Sequence, residues 1–166
     1  MKIATSIDDL ITRSELLSKS GLEFLQGMLS GEIAESPLAA TLGFSLHSAE
    51  PGKAVFHGTP TFEHGNPMRA VHGGWYGGIL DSCMGCAVAS RIPKGSYYTT
   101  LEYKINITKA VPMGMPVQAI GISQHSGRST GVAHGEVRGL EDDKLYATGS
   151  TTCLIMHGAP NMLTVK

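Results

Sequence analysis

"NPMRAVHGGWYGGILDSCMG", Asn66 to Gly85, holds a proline turn, a histidine, two glycine pairs and an apolar run interrupted by one carboxylate, Asp81. Its reading decides the fold. The run from Trp75 to Ile92 is crossed by Asp81, Ser82 and Ser90 and carries Gly77, Gly78 and Gly85, which argues against a membrane span. As a helix it is hydrophobic nearly all round, so it must be covered on nearly all sides. Gly77, Gly78, Gly85, Ala87 and Ala89 would let a sheet or a second helix approach closely. The helix is therefore expected at the centre of the molecule.

Strands surround it in the sequence. Upstream, short runs near 43–50 and 53–61 flank Pro51-Gly52 and read as a hairpin. Downstream, "SYYTTLEYKINITKA" alternates, with Tyr97, Thr99, Leu101, Tyr103, Ile105 and Ile107 expected on one face and Tyr98, Thr100, Glu102, Lys104, Asn106 and Thr108 on the wetter one. Segments near 116–125, 129–139 and 144–156 follow, divided by "SGR" and "LEDDK", which supply turn chemistry. The tally is two strands, a helix, then four strands in a meander: an α+β layout in which an antiparallel sheet wraps one helix. Residues 6–31 read as helix, with Ser6 as its N-cap and a break at Gly21. Residues 1–36 are thus expected to be a helical appendage and 37–166 the main domain.

Length and composition limit the function. At 166 residues there is room for one domain with a real core. Hydrophobic residues make up 42% and charged residues 16%, so part of the surface is expected to lie against other subunits. A net charge of −1 provides no basic field for nucleic acid. Asp8, Asp9 and Glu15 interrupt the N-terminus, which does not read as a secretory signal; with three cysteines, this points to a reducing cytoplasm.

Chemistry concentrates around the helix start. Gly73-Gly74 would present peptide N–H groups with no intrahelical partner at the positive end of the helix dipole, where a polarised carbonyl could bind, or would simply form a tight turn. Asp81 lies eight residues beyond Gly73, or ~12 Å along a helix axis at 1.5 Å per residue. One chain cannot bring both to the same atom. If they act together they come from two chains across a two-fold axis, each dimer carrying two composite sites; otherwise Asp81 is a buried carboxylate satisfied locally. His72 could steady the turn or polarise a substrate, and Asn66 could cap the turn or hold a water or carbonyl.

Other motifs are weaker. Cys83-x-x-Cys86 falls inside the helix with only Cys153 elsewhere, so packing thiols are expected and no metal site. There is no G-x-S-x-G elbow, and "GGWYGG" lacks a P-loop lysine. "HSGRST", His125 to Thr130, could hold a phosphate, with Arg91, Lys104 and Lys109 as further candidates, or be an ordinary hairpin turn.

Taken together, Asn-Pro, "VHGG", the acidic residue eight positions after the first glycine, "TTLEYKINITKAV" and "GRST" resemble hotdog-fold acyl-CoA thioesterases, most closely the phenylacetic-acid-degradation (PaaI-like) type related to 4-hydroxybenzoyl-CoA thioesterases. The resemblance covers about Pro37 to Met156. It implies a helix wrapped by five or six antiparallel strands, paired into dimers or tetramers through a continuous sheet. It implies that the Gly73 N–H, assisted by Asn66 and His72, polarises the thioester carbonyl, and that Asp81 of the partner chain is nucleophile or general base. Thr100 or Ser82 would orient water; Gly74, Arg128, Ser129 and Thr130 would bind substrate or coenzyme A. The implied activity is hydrolysis of an acyl- or aryl-CoA thioester to free acid and coenzyme A, without metal or cofactor beyond the substrate's own coenzyme A and without a nucleic-acid or membrane partner.

A non-catalytic acyl-CoA-binding module is the alternative, disfavoured because a binder does not need the carboxylate. A hydratase would want a histidine about five residues after the aspartate, where this chain has Cys86. Trp75, Tyr76, Met84 and Met68 could line an acyl pocket or serve as core.

Overall fold

A computed structural model describes residues 2–158. The end of the expected 37–166 unit, 159–166, lies outside the described residues. Chain order is α1 (Arg13–Leu17), α2 (Gly21–Ser30), α3 (Pro37–Thr41), β1 (Phe44–Glu50), β2 (Lys53–Gly58), α4 (Gly73–Ala89), β3 (Ser96–Ile107), β4 (Val117–Ser126), β5 (Thr130–Gly139) and β6 (Leu145–His157). The strands form one six-stranded sheet in the order β1-β2-β4-β5-β6-β3, antiparallel at every pairing. It wraps α4, which is the hotdog layout expected from the sequence.

The expected four-strand meander is corrected. β4, β5 and β6 do run consecutively, but β3 pairs with β6 instead of β4, and β4 pairs with β2. The segment between β3 and β4 carries the chain across the end of the sheet, and the Val111 N–H in it donates to the Tyr76 hydroxyl of α4 at 2.8 Å. β3 therefore has one strand neighbour and an open edge.

The two faces expected for β3 are also corrected. Its register against β6 slips between Thr100, opposite Cys153, and Glu102, opposite Thr152, leaving Leu101 as the extra residue of a bulge. The bulge reverses the alternation. Tyr98 and Thr100 before it, and Tyr103 and Ile107 after it, all lie toward α4: Tyr98 against Gly85, Thr100 bonded to Asp81, Tyr103 against Gly77 and Ile107 near Gly73.

Close approach is shared between helix and sheet. Gly77 and Gly85 admit the tyrosines of β3, while Gly121 of β4 and Gly135 of β5 admit α4 itself. A methyl at Gly121 would run into the Cys83 carbonyl, which is helix backbone and cannot rotate away. We expect Gly121→Ala to cost about 3 kcal/mol by overpacking, measured as a lowered midpoint in chemical denaturation.

The N-terminal segment departs from the expected helix over 6–31 with one break at Gly21. It is a 3-10 turn (Ile7–Asp9) followed by α1 and α2. Each piece ends because the next cap begins: the Asp9 carboxylate takes the Ser6 N–H at 3.0 Å, Glu15 takes Thr12 at 3.0 Å and Glu23 takes Ser20 at 2.6 Å. Gly21 opens α2 instead of breaking a longer helix. These helices reach the common core, where Leu25, Met28 and Ile33 join Trp75, Leu80 and Met84 of α4. α3, headed by Ser36-Pro37, was not anticipated; the Ser36 hydroxyl caps it and proline fits its first turn. Glu35 beside it is 2% exposed and accepts the Leu46 N–H at 2.9 Å.

Candidate active site

α4 begins at Gly73 because His72, in extended conformation, is its N-cap. The His72 Nδ1 accepts the Gly74 N–H at 2.9 Å, so a neutral ring carries its proton on Nε2. His72 thus steadies the turn, and the Gly74 amide is occupied by it. The Gly73 N–H is different: among the described residues no acceptor takes it. It is the unpartnered donor at the helix N-terminus.

Seven residues after Gly74 the same stripe of α4 brings up Asp81. A groove of about 440 Å³ runs between them, bounded by His72, Gly74, Gly78 and Asp81 along the helix, with Leu38 and Leu42 on one side and Tyr103 on the other. The Thr100 hydroxyl donates to Asp81 Oδ1 at 2.9 Å, while Oδ2 has no partner among the described residues. Burial raises the Asp81 carboxyl above its ordinary value, and the Thr100 bond acts against that rise by favouring the anion. The result is a half-buried carboxylate held at one oxygen and free at the other. Ser82 also faces the groove; its hydroxyl donates to the Gly78 carbonyl at 2.8 Å, leaving lone pairs to accept from a water.

Other predicted residues are not brought here within one chain. Asn66 Oδ1 accepts the N–H groups of Met68 at 2.9 Å and Ala70 at 3.2 Å, which folds the loop that leads into α4. Asn66 borders a separate cavity of about 700 Å³ with Phe62, Arg69 and Met113. Phe62 there is 89% exposed. Arg128, Ser129 and Thr130 form the β4–β5 turn, where the Arg128 carbonyl accepts from His157 at 2.6 Å and the Ser129 carbonyl from Ile155 at 2.8 Å. Lys109 lies over the Tyr146 ring and Arg91 against Gly52; neither of them, nor Lys104, lines the groove.

Trp75, Tyr76 and Met84 are core residues, with the Trp75 edge reaching the groove; Met68 is on the surface. Cys83 and Cys153 are buried and Cys86 partly so; burial pushes the Cys86 thiol up to about 12 and raises the other two, so none is a ready thiolate. Among the described residues no group of three or more His, Cys, Asp or Glu is placed to hold a metal, and no helix is long and apolar enough to cross a membrane.

Besides Leu38 and Leu42, two polar groove residues escaped the sequence reading. His64 donates from Nε2 to the Thr41 carbonyl at 2.9 Å and accepts the Thr61 N–H at Nδ1, which fixes its ring against the groove wall. No local pattern marks it. Tyr103 was placed on the face opposite Thr100, and only the bulge at Leu101 turns it to the same side.

The family model described as "Thioesterase superfamily" matches residues 68–146. A conserved protein of Pseudomonas aeruginosa is 30% identical, with 74% of this chain and 95% of that one superposed at a TM-score of 0.69. A phenylacetic acid degradation-related protein of Ralstonia eutropha is 26% identical over 79% of this chain and 98% of its own, at a TM-score of 0.72. A Streptococcus mutans protein solved bound to acetyl CoA is 23% identical over 69% of this chain and 90% of its own, at 0.63. No curated protein matches the chain.

Proposed function

The chain belongs to the thioesterase superfamily, and from that premise we propose that it hydrolyses an acyl-CoA thioester to a free acid and coenzyme A. The observation that carries the reading is the Asp81–Thr100 pair: a half-buried carboxylate with one oxygen fixed and one free, opening on the groove that leads to the helix N-terminus. Asp81 Oδ2 either takes a proton from water as it attacks the carbonyl carbon or attacks that carbon itself. In both cases the carbonyl oxygen gains negative charge, the carbon–sulfur bond breaks, and the coenzyme A thiolate leaves; in the second, water then hydrolyses the Asp81 anhydride, which releases the acid and restores the carboxylate. The acetyl CoA held by the Streptococcus mutans protein of this fold is a ligand of the proposed class.

The developing oxyanion needs a donor, and the Gly73 N–H is the backbone donor left without an acceptor at the start of α4 among the described residues. Because it lies ~12 Å from Asp81 along α4, the site is completed by a second chain. The open edge of β3 supports this arrangement. It leaves Leu101, Tyr103 and Ile107 exposed by 57%, 46% and 46% along the unpaired edge of a strand twelve residues long. Pairing two β3 edges about a two-fold axis continues the sheet and sets the two α4 helices antiparallel, with each Gly73 toward the other chain's Asp81.

A thiol-release screen over acetyl-, hexanoyl-, decanoyl-, phenylacetyl- and benzoyl-CoA, with an acyl-carrier-protein thioester alongside, tests the reaction. Thiol release from at least one coenzyme A thioester is expected. Tight binding of acyl-CoA with no thiol released by any of them would leave a binding module in its place.

The pH dependence follows from the direction of the Asp81 shift. The reactive form is the anion, so kcat/KM should rise with pH through an apparent pKa above the usual aspartate range and then level off. The sign for stability is opposite. The folded carboxyl binds its proton more tightly than the unfolded one, so Asp81 lowers stability as pH rises from the unfolded value through the raised folded one. Asp81→Asn should accordingly have a Tm at pH 7 no lower than the parent, read by calorimetry. A pH–rate profile flat down to the ordinary aspartate value would remove Asp81 from the rate-determining ionisation.

A further inference from the structure

A second cavity, of about 370 Å³, lies on the far side of Thr100 from the groove. Its walls are Leu16 of α1 and Phe24 of α2; its floor is Ala89 and Ile92 at the end of α4 together with Tyr97 and Tyr98 of β3. The lining is mainly apolar, and Thr100, whose hydroxyl holds Asp81, stands at one end. From Ser96 to Thr100 the cavity follows five residues of extended strand, ~13 Å over four steps at the usual strand rise. Several bonds hold the helices over it. The Gly21 N–H donates to the Ile92 carbonyl at 3.0 Å, the Gly95 N–H to the Leu17 carbonyl at 3.0 Å, and Arg13 to the Tyr97 hydroxyl at 3.0 Å. The space is preformed, and its outer wall comes from residues that lie before the 68–146 segment matched to the family model.

We propose that this cavity receives the apolar tail of the substrate, so that α1 and α2 select a medium-length aliphatic acyl chain over acetyl. The inference rests on the thioesterase reading above. A thioester carbonyl beside Asp81 presents two substituents, the sulfur of coenzyme A and the acyl carbon. The groove toward the helix N-terminus carries His64 and His72 beside Leu38, Leu42 and Tyr103, whereas the cavity at Thr100 carries no histidine or carboxylate and takes its largest walls from Leu16, Phe24, Ile92, Tyr97 and Tyr98, with Lys19 as its one charged side chain. The apolar substituent belongs in the second. A chain of medium length spans the strand segment from Thr100 to Ser96; an acetyl group ends before entering it.

The test is the ratio of kcat/KM for decanoyl-CoA to that for acetyl-CoA, measured with hexanoyl- and octanoyl-CoA between them. In the parent the ratio should rise along the series, by roughly fourfold per buried methylene until the cavity is full. Phe24→Trp, which fills it, should lower the decanoyl-to-acetyl ratio at least tenfold, and Phe24→Ala should move the optimum to longer chains. Leu16→Phe serves if Phe24→Trp does not fold. A flat aliphatic series, a profile led by phenylacetyl- or benzoyl-CoA alone, or a ratio indifferent to these substitutions in folded protein overturns the proposal. If the parent releases thiol from no substrate, the hydrolase reading fails by itself. The cavity is then judged by calorimetric affinities: a decanoyl-CoA preference removed by the filling variant supports it, and equal affinities for decanoyl- and acetyl-CoA overturn it.

Discussion

Asp81→Asn should lower kcat by roughly a thousandfold, within the range for loss of a positioned base, while leaving folding and assembly intact. The amide has nearly the same shape, and its oxygen can still accept the Thr100 hydroxyl that meets Oδ1 at 2.9 Å. What disappears is the free, basic Oδ2. Near-normal hydrolysis by folded Asp81→Asn protein would remove this residue from the chemistry. A single turnover of the parent in oxygen-18 water separates the two remaining roles. Label incorporated into the Asp81 carboxylate means attack by the side chain through an anhydride hydrolysed at the Asp81 carbon; label found only in the released acid means that water attacked the acyl carbon, and trapping with hydroxylamine then tells an anhydride, which is captured on Asp81, from the thioester itself. Thr100→Val is a positioning variant: it should shift the apparent pKa of the rate profile upward, because the hydrogen bond that favours the anion is gone.

Gly73→Pro should lower kcat by about a hundredfold to a thousandfold, the usual effect of removing one oxyanion donor. It tests the amide and not the side chain. Proline removes the N–H yet suits the first position of a helix, and His72 before it already has the extended backbone (φ −64°, ψ 139°) that a following proline requires. A carbon at Gly73 would meet only the Ile107 Cδ1 at 3.8 Å, so Gly73→Ala, which keeps the N–H, should stay close to the parent. Equal damage from proline and alanine would mean that shape, not the donor, matters there.

The same pair of variants tests the two-chain site. A heterodimer of Asp81→Asn with Gly73→Pro should show about half the activity of a parent dimer. One of its sites collects both defects and the other collects neither. Verified heterodimers with no recovery would place both groups in one chain's site.

How much of this was legible beforehand depends on the range of the interactions involved. The central helix could be read from Trp75 to Ile92, because a run apolar on all faces has no other stable position in a small domain. The turns could be read too: Pro51-Gly52, with Gly52 at φ +85°, is local chemistry. The separation of Gly73 and Asp81 needed only the helix rise. Even the three short N-terminal pieces are marked, by Ser6/Asp9, Thr12/Glu15 and Ser20/Glu23 at capping-box spacing, a finer signal than a helix over 6–31 broken at Gly21.

The sequence by itself determined the central helix, the six strands and the hotdog layout, and singled out Asp81 as the candidate carboxylate. Tertiary structure decided the sheet order, the single extra residue at Leu101 that turns Thr100 and Tyr103 to the same side, and the cavity that α1 and α2 close over β3. The physical reason is reach. Helix periodicity, caps and turns are set by residues a few positions apart, whereas β3 finds β6 some fifty residues along the chain, and which edge it joins depends on packing around all of α4 at once.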